Sequence, residues 1–407
     1  MQMTLTYGNE QTCRADLPAG DRLAAAGGGH AGLADPAAAV RQALREPRGF
    51  PPLDLATTPG DAVAIALADG VPEVESVVSG AVAALMSAGV EPAHVTIVAE
   101  LAIAGRDRLE QRLAEIGAGE VRFQVHDPDD EASIAMVGVT SQGQPLRINR
   151  TIAEADFILP IALSEAGEAG GVRPKFAGLY PRFGSQETIV RMRPHGAGES
   201  AKQRRKRADE IDDAGWKLGV GLVVGVVPAS GGGVAEVLAG DPAIVAEAAS
   251  ARVSELWQRP QVERGDLVIA AIVGDQREQT WSNLARALKA AEPVLADDGV
   301  VVVYSELAEP PPGPFELLFE AVDFDEVARE LSQDAHADAQ AAIVLARALE
   351  RGPVYLRSQL SADVVESLGM APIDSDEELS RLAAGRRRCV LIEQAQRLAP
   401  TLQERAS

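Results

Sequence analysis

Short apolar runs alternate with longer stretches of helical spacing along most of the chain. Asp61 to Ala68 (DAVAIALA) is apolar throughout its interior and predicts a buried strand. From Pro72 to Gly89, the residues Val74, Val77, Val78, Ala81, Val82 and Leu85 recur at helical spacing, and Gly89 supplies a stop. Val95 to Ala99 predicts a second strand and Asp107 to Ile116 a second helix. Val121 to Val125 and Phe157 to Leu163 predict two further strands. Strands separated by helices in this way predict a largely parallel sheet with helices on both faces. Gly138 to Asn149 departs from that grammar and reads as a hairpin turning at Ser141-Gln142-Gly143.

Trp216 to Pro228 reads as a glycine-bearing strand, followed by a helix over Gly240 to Trp257 that opens at Asp241-Pro242. Beyond a polar stretch, Arg259 to Gly265, the same alternation resumes. Strands are predicted at Asp266–Val273, Gly299–Tyr304, Val354–Ser358 and Cys389–Glu393. Helices are predicted at Thr280–Ala296, Phe324–Ser332, Asp338–Glu350 and Ser375–Ala384, the last capped at Asp374-Ser375. Pro310 to Pro314 (PPPGP) is a rigid break. The pattern implies two α/β domains, residues 1–262 and 263–407.

Composition narrows the partners. With 60 acidic against 38 basic residues, the 407-residue chain carries a formal net charge of −22, which repels nucleic acid and anionic lipid at long range. Its longest apolar stretch, Leu218 to Val227, holds three glycines and is too short to span a bilayer. Met1 to Glu10 has no basic start followed by an apolar run, so a cytoplasmic location is expected. Two cysteines at opposite ends exclude a disulfide scaffold and a thiolate metal site, and no two of the five histidines stand at the i, i+4 spacing of a helical metal pair.

Candidate chemistry gathers in one place. Gly167 to Gly184 contains five glycines and two prolines after a buried strand, which suits a ligand-binding loop as well as a plain surface connection. The basic run at 201–210 (AKQRRKRADE) suits a solvated helix face, or an anion-binding edge. Gly27-Gly28-Gly29 and Gly231-Gly232-Gly233 lack the strand-before, helix-after context of a dinucleotide fingerprint. Ser185 and Ser230 lack a nucleophile-elbow pattern and suit turns or caps.

The stretch from Asn149 to Ile189, NRTIAEADFILPIALSEAGEAGGVRPKFAGLYPRFGSQETI, resembles the nickel-pincer-dependent lactate racemase family. The matching positions are Asn149, Glu154, Ala155, Asp156, Gly170, Gly171, Gly178, Glu187, Thr188 and Ile189, and weaker matches extend over nearly the whole chain. The resemblance implies two α/β domains with a cleft between them, an isomerase acting on 2-hydroxy acids, and a nickel–nucleotide pincer cofactor. It also marks departures. The cofactor-tethering lysine of the family's G-G-x-K loop is Arg173 here, and guanidinium is a poor partner for covalent attachment. The nickel-ligating histidine falls near Leu163, and a second histidine near Arg191 or Met192. The acid/base histidine falls in Ala99-Glu100-Leu101-Ala102, the arginine loop is Asp69-Gly70-Val71-Pro72, and the Tyr-Gln-x-x-Lys cluster is Trp281-Ser282-Asn283-Leu284-Ala285.

Three readings stand side by side. In the first, the family fold is repurposed to bind a small anion, a 2-hydroxy acid or a phosphate-bearing molecule, with Asp69, Gly170, Gly171, Arg173 and Gly178 around the ligand and Lys175 and Arg182 adding charge. In the second, the chain is an active racemase or epimerase whose rearranged site uses Lys175, His195 and His126. In the third, it is an acidic interaction subunit with Lys202 to Arg207 at an interface or clamping acidic helices.

Overall fold

The computed structural model describes residues 2–25, 31–103, 105–164, 174–193, 200–261 and 263–402. It divides into two compact units. One comprises 31–229 and 233–253, here the N-terminal unit; the other comprises 1–30, 230–232 and 254–407, here the C-terminal unit. The predicted boundary lies at 262/263, whereas the contacts place the main division at 253/254 and assign the first thirty residues to the C-terminal unit.

The chain opens with three strands of the C-terminal unit, β1 (Gln2–Tyr7), β2 (Gln11–Asp16) and β3 (Gly20–Leu23). The N-terminal unit follows with α1 (Pro36–Arg45), α2 (Leu53–Ala56), β4 (Val63–Leu67), α3 (Val74–Ser87), β5 (Val95–Ala99), α4 (Arg106–Glu115) and β6 (Arg122–Val125). The hairpin is β7 (Ile134–Val139) with β8 (Pro145–Asn149), antiparallel as its turn residues predict but beginning four residues earlier than the sequence suggests. Next come α5 (Arg150–Ala153), β9 (Phe157–Leu163), α6 (Gln186–Met192), α7 (Ala201–Lys217), β10 (Val223–Pro228), β11 (Val234–Gly240) and α8 (Pro242–Trp257).

The main sheet of this unit has the order β11-β10-β9-β4-β5-β6, parallel except for β11. Its strands β4 and β5 are buried at every position, as a sheet covered on both faces requires. Val77, Val82 and Leu85 of α3 and Leu109 and Leu113 of α4 share their core with Ile65, Ile97, Leu159 and Val224. Helix α1 starts at an Asp35 cap with Pro36 at its first position, and it lies close on α3 because Gly80 has no side chain. A Cβ there would fall 2.6 Å from the Ala37 carbonyl oxygen.

Sequence pattern and structure part at Trp216. The strand predicted from Trp216 starts only at Val223; Trp216 and Lys217 close α7. The helix is launched by a capping box, Ser200 with Gln203, and its inner residues Ala208, Ile211 and Ala214 are buried while most of the basic run faces solvent.

The C-terminal unit resumes with β12 (Gln258–Gln261), β13 (Gly265–Ala271), α9 (Trp281–Ala291), β14 (Leu295–Tyr304), α10 (Phe324–Leu331) and α11 (Ala339–Arg351). It ends with β15 (Val354–Arg357), α12 (Ala362–Ser367), β16 (Ala371–Pro372), α13 (Asp376–Ala383), β17 (Cys389–Ile392) and β18 (Ala399–Leu402). Its main sheet is wholly parallel in the order β16-β15-β14-β13-β17-β3. Among the described residues no helix is long and apolar enough to cross a membrane.

Candidate small-ligand site in the N-terminal unit

In a doubly wound sheet, ligands bind outside the carboxyl ends of the strands at the position where the strand order reverses. That position lies between β4 and β9: β4 leads through α3 to β5 on one side, while β9, on the other side, leads on to β10. A concavity of about 100 Å³ sits there, lined by Ala68 and Asp69 after β4, Ala162, Leu163 and Ser164 at the end of β9, and Lys175, Phe176, Gly178 and Arg182 beyond it.

Three contacts fix the segment that closes this concavity. The Lys175 backbone N–H donates to Asp212 Oδ1 of α7 at 2.6 Å, and Lys175 Nζ lies 3.2 Å from Asp212 Oδ2. The Phe176 ring packs where Gly215 of α7 has no side chain; a Cβ would fall 2.1 Å from the ring. Gly178 lies against β9, where a Cβ would fall 2.4 Å from the Ala162 Cβ. Helix α7 is therefore a support for the site, whatever its basic outer face does. Gly225 of β10 leaves room beside the Ser164 hydroxyl, which a Cβ would approach to 2.9 Å.

Charge at the site is largely paired. The Arg182 Nη1 donates to both Glu100 carboxylate oxygens, at 2.8 and 2.7 Å, and its Nε donates to the Ala177 carbonyl at 3.0 Å. Glu100 Oε2 also accepts the Asp69 backbone N–H at 2.9 Å. The Lys175 side chain, 44% exposed, retains access to solvent beyond its pairing with Asp212.

The predicted residues separate into three groups. Asp69, Lys175 and Gly178 meet at the concavity. Gly170, Gly171, Arg173 and His195 lie outside the described residues. His126 stands apart from the lining, buried after β6. Its Nε2 donates to the Gly184 carbonyl at 2.8 Å, which leaves Nδ1 as the acceptor facing Asn149 Nδ2 at 3.4 Å. Burial holds the imidazole below its ordinary titration range and so neutral near pH 7. Ser164 went unread because a serine after an apolar run has no sequence signature; only its place at the end of a central parallel strand marks it.

Two described positions that the resemblance marks for nickel, Leu163 and Arg191, carry no ligand for it, while Arg173 and His195 lie outside the described residues. No three His, Cys, Asp or Glu side chains among them are placed to hold a metal ion. Leu163 offers hydrocarbon. Arg191 is held by Glu210, Nη2 to Oε1 at 2.6 Å and Nη1 to Oε2 at 3.0 Å. The cysteines add nothing: burial pushes the Cys13 thiol up to about 11 and that of Cys389 to about 12, so neither supplies a thiolate near neutrality.

Comparison with known proteins follows the same lines. Residues 16–179 match the model of the lactate racemase N-terminal domain. The lactate racemase apoprotein of Thermoanaerobacterium thermosaccharolyticum superposes with a TM-score of 0.75 at 19% identity, covering 99% of this chain and 100% of that one. A structural-genomics protein of Thermotoga maritima superposes with a TM-score of 0.62 at 12% identity, covering 90% and 97%. No curated protein matches. Residues 16–179 are thus similar to the lactate racemase N-terminal domain, and the chain as a whole shares the two-domain α/β fold of the lactate racemase apoprotein.

Proposed function

We propose that this lactate-racemase-family protein binds a small oxyanion, a 2-hydroxy acid or a phosphate-bearing molecule, at the crevice above β4 and β9, and that it has given up the family's pincer chemistry. The observation that carries this reading is the concavity at the sheet's reversal point, with Ser164 and Lys175 beside it. Lys175 supplies the positive charge, exchanging Asp212 for the ligand, and the Ser164 hydroxyl supplies a hydrogen bond. Arg182, already matched by Glu100, shapes the wall and holds Asp69 in place through that carboxylate.

Hydride transfer between faces of a 2-hydroxy acid needs an electrophile to take the hydride and bases to move the hydroxyl proton. His126 is engaged with Gly184 and stands off the lining, and Glu100 is committed to Arg182. These residues support binding better than turnover.

Calorimetric titration of D-lactate, L-lactate and inorganic phosphate tests the proposal. Saturable binding is expected for at least one, weakened about tenfold or more in Lys175→Ala, the equivalent of about 1.4 kcal/mol. Binding unchanged in Lys175→Ala and Ser164→Ala would remove this site from consideration. Stoichiometric nickel in protein from its native host, with racemisation of lactate, would overturn the loss of pincer chemistry.

A further inference from the structure

The C-terminal sheet has a reversal point of its own. Strand β13 leads through α9 to β14 on one side and is flanked by β17 on the other. Above the carboxyl ends of β13 and β17 lies a buried polar cluster centred on Glu278. Its carboxylate accepts from Arg397 Nη2 at 2.8 and 2.9 Å, from Asn283 Nδ2 at 3.1 Å and from Gln396 Nε2 at 3.4 Å. The Gln396 amide also holds the end of β13, donating to the Val273 carbonyl at 2.6 Å.

The two halves of the Glu278–Arg397 pair are unequally satisfied. Glu278 is surrounded by three donors. The Arg397 side chain is 3% exposed, yet its Nε and Nη1 have no hydrogen-bond partner. The Ser230 hydroxyl is likewise buried without a partner. It belongs to the short segment 230–232, which packs on the same cluster: the Gly231 N–H donates to Gln394 Oε1 at 3.0 Å, and a Cβ on Gly232 would fall 2.9 Å from the Glu278 side chain. A buried guanidinium nitrogen without an acceptor is costly, because it has lost water and gained nothing. Two such nitrogens and a hydroxyl at one sheet's reversal point are unused donor capacity of one kind.

We infer that the C-terminal unit binds a small oxyanion, a carboxylate or a phosphate, at Arg397 Nε and Nη1, with Glu278 as the buttress that aims the guanidinium. An acceptor-only group matches these donors, since guanidinium has no acceptor of its own. This inference is independent of the N-terminal crevice.

Full-length protein labelled with nitrogen-15 arginine gives the readout. One Nε–H signal, absent in Arg397→Lys, is expected to shift saturably with sodium lactate or with inorganic phosphate, and the two arms separate carboxylate from phosphate. Sodium chloride and neutral lactamide are expected to leave it in place. The same shift in Lys175→Ala shows that the site is separate from the N-terminal one; loss of the response in that variant would assign it there and overturn the inference. A signal unmoved by either anion overturns it as well. If Arg397→Lys does not fold, crystals of the unaltered protein grown in each anion decide: an oxyanion on Nη1 supports the inference, and a water molecule there rejects it.

Discussion

His126 is buried and neutral, donating from Nε2 to the Gly184 carbonyl. Its ordinary value is 6.5, and burial lowers it in the folded protein. Below that value the unfolded chain takes up the proton before the folded one does, so stability falls as pH drops through about 6.5 toward the depressed folded value, and is fully present above it. The urea midpoint is therefore expected to decrease between pH 7.5 and 5.5, and His126→Gln is expected to flatten that decrease. Gly178 gives a second prediction. In Gly178→Val the new side chain meets Ala162, costing about 1–3 kcal/mol by overpacking and closing the concavity, so lactate or phosphate binding should disappear in calorimetry before the fold does. The histidine, the lysine and the glycine could be read from the sequence as candidates. Their partners could not, because Gly184, Asp212 and Ala162 are set by how α7, β6 and β9 pack rather than by spacing along the chain.

At the scale of elements, the central strands were legible for a physical reason. Strands β4, β5 and β9 are covered on both faces and read as continuous apolar runs. By contrast β1, β2 and β3 bury only one or two side chains each and give no such run, and the sequence reading passed over them. The misplaced start at Trp216 has a similar origin. The apolar stretch from Leu218 hid a helix end, and Trp216, 74% exposed at the foot of α7, mimicked a strand residue. Asn149 joins two elements: its side-chain oxygen caps α5 at the Thr151 and Ile152 N–H groups while its amide faces His126. Asn149→Ala should cost about 2 kcal/mol, from the lost cap and the orphaned imidazole acceptor, measurable as a lower urea midpoint with unchanged slope.

For the molecule as a whole, the resemblance visible at Asn149 to Ile189 extended to a fold shared along 99% of the chain with a protein only 19% identical. Packing patterns survive such divergence, because a core keeps its fold when its volume and patterning are kept. The Glu278–Arg397 pair had no sequence signal, since its members stand 119 residues apart. Contacts also tie residues 1–30 to the C-terminal unit, through β3 on β17 and β1 on β13. Deleting residues 2–25 is expected to strip amide protection from Cys389–Ile392 while sparing Val63–Leu67 and Val95–Ala99. Uniform loss in hydrogen exchange would show instead that the two units unfold together.

That same pairing has a consequence for synthesis. Strand β3 leaves the ribosome long before β17, its partner, has been translated, and most of the N-terminal unit can fold in the interval. A strand that must wait unpaired in water invites the wrong neighbours unless its side chains are polar. Strands β1 and β2 pair with each other as soon as both are made, so only β3 must wait, and its sequence GDRL has that character. The polarity that hid β3 from an apolar reading is also what suits it to wait in water until β17 has been made.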